Sequence, residues 1–230
     1  MDSSKILTVL TGSEGKLTVT ARGALRRGSK FAAAAQLLVF SEMTLFHSRD
    51  RWTLTEARSV EQFAGLRDDI ELLALGSYFA ELVEAASDED SPSRELMPLF
   101  LNALYALSER MKTPEIVKPA FELRLMAASG FAPVVSGCAL CGRTQPRRAV
   151  LDIEGGCMRC EDCAHSEGPR LSAGAISAAR YIIGCEAKKL FSFTLSKEAL
   201  HELYIAAEQY LLAQYDRRFR TLEFYKTVRS

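Results

Sequence analysis

Cys138-Ala-Leu-Cys141 and, after Gly155-Gly156, the run Cys157-Met-Arg-Cys160-Glu-Asp-Cys163 place five of the six cysteines of this 230-residue chain within 26 residues. Each Cys-x-x-Cys turn aims two sulfurs at one point, so two such knuckles about 20 residues apart supply the four thiolates that a tetrahedral Zn²⁺ takes. Three cysteines at three-residue spacing leave the second knuckle open between Cys157/Cys160 and Cys160/Cys163. The Gly155-Gly156 bend favours the later pair, because a hairpin needs a residue or two after its turn before a knuckle can turn back. The expected ligands are therefore Cys138, Cys141, Cys160 and Cys163, with His165 as a lesser alternative. Four protein ligands leave no position for a substrate, which points to a structural rather than a catalytic ion.

Thiol redox exchange would want a knuckle between a strand and the start of a helix, whereas these lie among Gly, Pro and Arg residues. No apolar stretch follows Met1 that would serve as a secretory signal, so a reduced, cytoplasmic setting is expected. Cys185, in Tyr181-Ile-Ile-Gly-Cys-Glu-Ala, reads as a small core residue.

Outward from the cysteines, composition sets bounds. Residues of hydrophobic type make up 48% of the chain, enough for a large core, and no run approaches the 18 or more apolar residues of a membrane span. The 29 basic and 29 acidic side chains cancel, which by itself argues against a protein that coats nucleic acid indiscriminately. Their distribution is uneven. Residues 1–33 carry six Lys/Arg against two acidic residues, a balance of +4, while residues 63–135 carry six basic and twelve acidic, a balance of −6. A basic end beside an acidic middle predicts a charged partner at one face.

The first 60 residues alternate in the manner of β-strands: Lys5-Ile-Leu-Thr-Val-Leu-Thr, Gly15-Lys-Leu-Thr-Val-Thr-Ala, a third run from Ala35 to Phe46, and Arg51-Trp-Thr-Leu-Thr-Glu-Ala. Short strands at this spacing suit a small barrel or an open meander. From Leu66 the apolar period becomes helical, through Ile70, Leu73, Tyr78, Phe79 and Val83. Further helices are expected over residues 94–110, from Pro114 to a C-cap at Gly130, over 172–185 and over 196–217, the last two behind serine N-caps. The division that follows is a β domain over 1–62, a helical domain over 63–136 and 168–230, and a cysteine ribbon over 137–167 inserted into it.

Arg22-Gly-Ala-Leu-Arg26-Arg27-Gly-Ser-Lys30 joins two of the strands and holds four positive charges in nine residues. Such a loop can lie along a phosphate backbone while its glycines permit close approach; as a plain solvated turn it would serve solubility alone. Aromatic residues for stacking bases are few, with Phe31, Phe40, Phe46 and Trp52 on the strand side. His47, His165 and His201 are scattered, and neither a phosphate-binding Walker loop nor a Gly-x-Gly-x-x-Gly stretch occurs. Binding without catalysis is the expected class, with no enzyme activity.

In order, Thr8-Val-Leu-Thr before Gly15-Lys-Leu, Ala21-Arg-Gly-Ala, Trp52-Thr-Leu-Thr-Glu-Ala, Leu66-Arg-Asp-Asp, Tyr78-Phe-Ala-Glu-Leu, Phe121-Glu-Leu-Arg-Leu-Met-Ala-Ala-Ser-Gly-Phe-Ala-Pro and the cysteine set resemble the RecO family of bacterial recombination mediators. The resemblance implies an N-terminal OB-fold, a helical domain and a zinc ribbon set between helices. It also implies binding of single- and double-stranded DNA, annealing of complementary strands, and cooperation with RecR in loading the RecA recombinase onto DNA coated by single-strand-binding protein (SSB). The family's basic OB residues fall on Arg22, Arg26 and Arg27, with Lys16 and Lys30 as neighbours. Leu25 stands where many relatives carry a basic residue. Family members further bind the acidic C-terminal tail of SSB, for which Arg124 is a candidate. The family pattern opens with an additional strand ahead of Asp2-Ser-Ser, so an OB-like barrel lacking its first strand is predicted. The rival function is a zinc-ribbon module that meets only other proteins, without direct DNA binding.

Overall fold

The computed structural model describes every residue except 1, 2, 50, 90, 93, 166 and 230. Four strands precede residue 62: β1 (Lys5–Thr11), β2 (Gly15–Ala21), β3 (Phe40–Ser48) and β4 (Arg51–Glu61). They form one sheet in the order β1-β2-β4-β3. The pairs β1/β2 and β3/β4 are antiparallel, and β2 meets β4 in a short parallel contact at Val19↔Trp52 and Thr20↔Thr53. The barrel expected from the sequence is not closed. Among the described residues β1 pairs only with β2 and β3 only with β4, so the sheet ends in two free edges.

Alternation explains the sheet's inner face. Leu17, Val19 and Ala21 of β2 are buried with Leu54 of β4, and Phe31 and Ala35 of the β2–β3 connection complete the cluster. The third strand starts at Phe40 rather than Ala35. Residues 31–38 instead wind through turns that bury Phe31, Ala34, Ala35 and Leu38, the last in left-handed backbone at φ 57°, a conformation no strand continues through.

A single 3₁₀ turn over Ala64–Leu66 leads to helices α1 (Ile70–Ala86) and α2 (Leu96–Ser108). Asp69 caps α1 by accepting from the N–H groups of Glu71 and Leu72. Helices α3 (Pro114–Ala128), α4 (Ala173–Gly184), α5 (Lys197–Tyr215) and α6 (Arg220–Val228) follow, interrupted by a three-stranded sheet of order β6-β5-β7, where β5 is Arg148–Asp152, β6 Cys157–Cys160 and β7 Arg170–Ser172. The overall class is thus α+β. The predicted serine caps are present: Ser172 accepts from the Ala175 N–H and Ser196 from the Ala199 N–H. At the end of α3, Gly130 takes φ 81°, and the N–H groups of Gly130 and Phe131 return to the carbonyls of Ala127 and Met126. That paired return is a Schellman cap, which only a residue content with left-handed backbone closes cheaply.

By packing, the chain divides into two compact units, residues 1–109 with 221–230, and residues 110–220. In the first, the Thr221 hydroxyl and its N–H (3.0 Å) both donate to Glu81 of α1 at the start of α6. In the second, α3 packs on α4 and α5 around a buried charge cluster. The Lys118 ammonium lies 2.7 Å from Glu122 and 2.8 Å from Glu208, and 4.2 Å from the centre of the Tyr204 ring. Two carboxylates and a ring face replace the water that this lysine gave up. No helix among the described residues is long and apolar enough to cross a membrane.

Candidate metal centre and basic loop

Ligating atoms of Cys138, Cys141, Cys160 and Cys163 all lie within 4.8 Å of one another, and the Sγ atoms of Cys141 and Cys160 are 3.7 Å apart. A tetrahedron with metal–sulfur bonds of about 2.3 Å has sulfur–sulfur edges of about 3.8 Å, so the Cys141–Cys160 edge already matches a Zn²⁺-sized ion and the wider spacings, up to 4.8 Å, would draw in by about an ångström to hold one. No other group of metal-ligating side chains comes together among the described residues.

The local backbone explains the convergence. The Cys138 N–H donates to the Arg143 carbonyl and the Gly142 N–H returns to the Cys138 carbonyl, both at 2.9 Å, which folds the first knuckle; the Cys163 N–H to the Cys160 carbonyl at 3.0 Å folds the second. The Ala139 N–H then joins the two by donating to Met158 of β6. Arg180 of α4 holds the approach to the first knuckle, reaching the carbonyls of Val135 at 2.6 Å, Ser136 at 3.1 Å and Thr144 at 2.6 Å. Sequence reading missed Arg180, because nothing local marks a residue about 40 positions away as a brace. Outside the cluster, Arg143 and Asp162 pair at 2.5 Å, tying one knuckle to the other.

Strand periodicity separates Cys157 from the other two later cysteines. Cys157 and Cys160 both belong to β6, three residues apart, so their side chains leave opposite faces of the sheet. Cys160 faces the cluster and is fully buried, whereas Cys157, opposite Asp152, is half-exposed and outside it. His165 is not part of the group either. Crowding of four thiols spreads their acidities. Backbone N–H groups of Cys141 and Cys160 bring the Cys138 thiol down to about 6, while hydrogen bonding to Cys160 and Cys141 pushes Cys163 up to about 12. Cys138 is thus poised to be an anionic ligand at neutral pH, and Cys163 surrenders its proton only in exchange for a stronger positive charge.

The basic residues are less concentrated than their spacing implies. Arg22, Arg26, Arg27 and Lys30 are all exposed on the β2–β3 connection, with Arg26 donating to the Ser3 hydroxyl and Lys30 to the Thr55 carbonyl. Lys16 lies at the other end of β2, about 20 Å from Arg22 at roughly 3.3 Å per residue, and donates to the Glu84 carbonyl. The connection groups the first four and leaves Lys16 apart. Of the aromatic residues, Phe31 is buried at 6% exposure and carries Lys30 over its ring at 5.0 Å, while Phe46 is 60% exposed. Trp52 stacks against His47 across the β3–β4 hairpin, with ring centres 4.4 Å apart. Arg124 donates to the carbonyls of Ile182 and Ile183, filling the C-terminal end of α4.

Comparison with known proteins covers both units. Residues 1–63 match the family model described as recombination protein O, N terminal, and residues 67–223 the one described as recombination protein O, C terminal. A DNA repair protein RecO from Acetivibrio thermocellus is 31% identical over 229 residues, which span 99% of this chain and 91% of the relative. Another from Symbiobacterium thermophilum is 34% identical over 236 residues, spanning 100% of this chain and 92% of the relative. With two family models in succession over a four-cysteine centre of the expected spacing, the chain belongs to the RecO family.

Proposed function

We propose that this protein is a non-enzymatic DNA-binding mediator of repair, which anneals complementary single strands and, with RecR, helps load recombinase onto SSB-coated single-stranded DNA in the cytoplasm. The observation that carries the reading is the group of four exposed cations, Arg22, Arg26, Arg27 and Lys30, on one connection of the N-terminal sheet. Relatives that the chain matches over nearly its full length are named DNA repair proteins, which supports a repair role. The sheet order β1-β2-β4-β3 with its single parallel contact supports an OB-like domain without its first strand. In this reading residues 1–62 bind DNA, the helices of 63–136 and 168–230 carry the protein contacts, and the ribbon of 137–167 is held by a structural Zn²⁺.

The mechanism needs no nucleotide. Cations on the loop offset phosphate repulsion between two strands, so that bases pair, and each neutralised phosphate releases a counterion. Binding to a labelled single-stranded oligonucleotide should therefore weaken steeply with salt. Replacing Arg22, Arg26 and Arg27 together by Ala should flatten the slope of log affinity against log salt by about two, at roughly 0.7 per lost phosphate contact. An unchanged slope places the DNA elsewhere. The second reading, a ribbon that meets proteins only, is favoured by Leu140, 61% exposed between Cys138 and Cys141. It predicts no oligonucleotide binding even at low salt.

A further inference from the structure

The three-stranded sheet of the ribbon buries one face and shows the other. Ala149, Leu151, Met158, Cys160 and Leu171 lie on the buried side, each at 2% exposure or less. Residues that alternate with them point the opposite way, and the pairing sets them in rows. Arg159 of β6 and Arg170 of β7 both stand opposite Val150 of β5, one on each side, and Arg148 follows along β5 opposite Ser172. Val134, bridged to Cys157 beyond β6, extends the same face and is 56% exposed.

The three arginines are not equally engaged. Arg159 reaches Asp152 at 2.5 Å, and the other oxygen of that carboxylate accepts from the Gly155 N–H at 3.0 Å. Arg148 and Arg170 are exposed and, among the described residues, make no ion pair or side-chain hydrogen bond. They are diagonal neighbours on adjacent strands, about 7–8 Å apart, a span that an extended nucleic-acid strand covers between successive phosphates. Glu161, whose N–H donates to the Arg148 carbonyl at 3.2 Å, is the carboxylate that tempers the positive field there. Guanidinium forks match phosphate oxygens, and valines beside them suit the sugars between phosphates, a backbone grip that reads no bases. A protein partner would want a central apolar anchor seated in a pocket, whereas Val150 is flanked by arginine on both sides.

We propose that this face of the ribbon holds the sugar–phosphate backbone of a second DNA strand, with Arg148 and Arg170 on neighbouring phosphates, while the basic loop of the N-terminal sheet holds the first. The inference rests on the repair reading and deepens it: annealing needs two strands on one molecule, and each compact unit then supplies one phosphate-binding surface. The probe is a fluorescent thymidine homopolymer, which cannot pair with itself, titrated against the zinc-loaded full chain at several salt concentrations. In a chain whose loop carries Arg22→Ala, Arg26→Ala and Arg27→Ala, adding Arg148→Ala and Arg170→Ala should lower the remaining salt slope by about 1.4, at roughly 0.7 per lost phosphate contact. With the loop intact, the same pair of substitutions should slow annealing of complementary strands about tenfold and leave capture of the first strand in place. Glu161→Gln should tighten binding about twofold. On the unsubstituted chain, oligonucleotide should shield Arg148 and Arg170 from an arginine-selective dicarbonyl reagent, read by mass spectrometry, so the outcome does not depend on how any variant folds. Both arginines staying reactive under saturating oligonucleotide, or a slope and annealing rate indifferent to their loss, overturns the proposal. Shielding by polyglutamate but not by oligonucleotide also overturns it, because the occupant is then an acidic protein segment. A chain that binds no oligonucleotide at low salt sinks the repair reading as well, whereas binding through the loop alone sinks only this inference.

Discussion

The cysteine ribbon and the N-terminal sheet are both small β-structures, but their edges are finished in opposite ways. The ribbon ends in strands of four and three residues, β6 and β7, and β6 is further engaged by a bridge from Val134 to Cys157. The N-terminal sheet ends in strands of seven and nine residues, β1 and β3, with no partner on their outer sides among the described residues. Short edges offer too few backbone groups to template another strand, whereas long ones recruit a cover. The ribbon also gathers four sulfurs within 4.8 Å, which the proposed ion would tie together, while the sheet relies on one apolar face. A region with little core depends on local side-chain chemistry; a region with an apolar face depends on packing.

Removing a staple should have the largest effect. Cys160→Ser should drop bound zinc from one per chain to near zero and strip hydrogen-exchange protection from Ala149, Leu151 and Met158, because structural zinc contributes about 10 kcal/mol or more in small zinc modules. Acid should act in the same direction, since protons compete with the ion for thiolates. Zinc uptake at neutral pH should conversely release protons, with Cys163, pushed up to about 12, giving up its own in full and Cys138, brought down to about 6, contributing little. Calorimetry in buffers of different ionisation heat reads that release; uptake with none would mean the thiols were already ionised.

Next in size is Lys118→Ala, which leaves Glu122 and Glu208 without their shared cation and should cost about 3–5 kcal/mol in urea unfolding. A loss under about 1 kcal/mol would mean that the carboxylates protonate or hydrate at no real cost. Within the N-terminal sheet the comparison sharpens to neighbouring strands. Leu17→Ala on β2 should cost about 2–4 kcal/mol, whereas Ile6→Ala on the free edge, 73% exposed, should stay within about 0.5 kcal/mol. Equal costs would show that the outer face of β1 is covered in solution. Smallest of all is Cys157→Ser, expected within about 0.5 kcal/mol of the parent and with zinc content unchanged. Zinc loss in that variant would return Cys157 to the ligand set.

Local signals carried far in this chain. The knuckles, the first two strands, the serine caps at Ser172 and Ser196 and the glycine cap at Gly130 were all readable, because each depends on residues within four positions. The first residues of the strand expected from Ala35 were lost to turns that bury Phe31 and Leu38, where core packing overrides β-propensity, and β3 begins at Phe40. Helix α6 escaped notice, since Arg217-Arg-Phe-Arg220 hides its start and Glu81, 140 positions earlier, supplies its hydrogen bonds. The basic loop was legible as a run, but the separation of Lys16 from it follows from the length of β2.

By itself the sequence determined which sulfurs can meet, since spacing within a knuckle is covalent geometry, and which segments alternate or turn helical, since burial on one face imposes a period. Only the tertiary structure decided that Cys157 leaves the other side of β6, that Lys118 is held between two carboxylates, and that β1 and β3 face one groove in the same direction. Those outcomes depend on pairing between residues far apart in the chain, where register, direction and distance are set by the packing of whole elements rather than by any residue's neighbours.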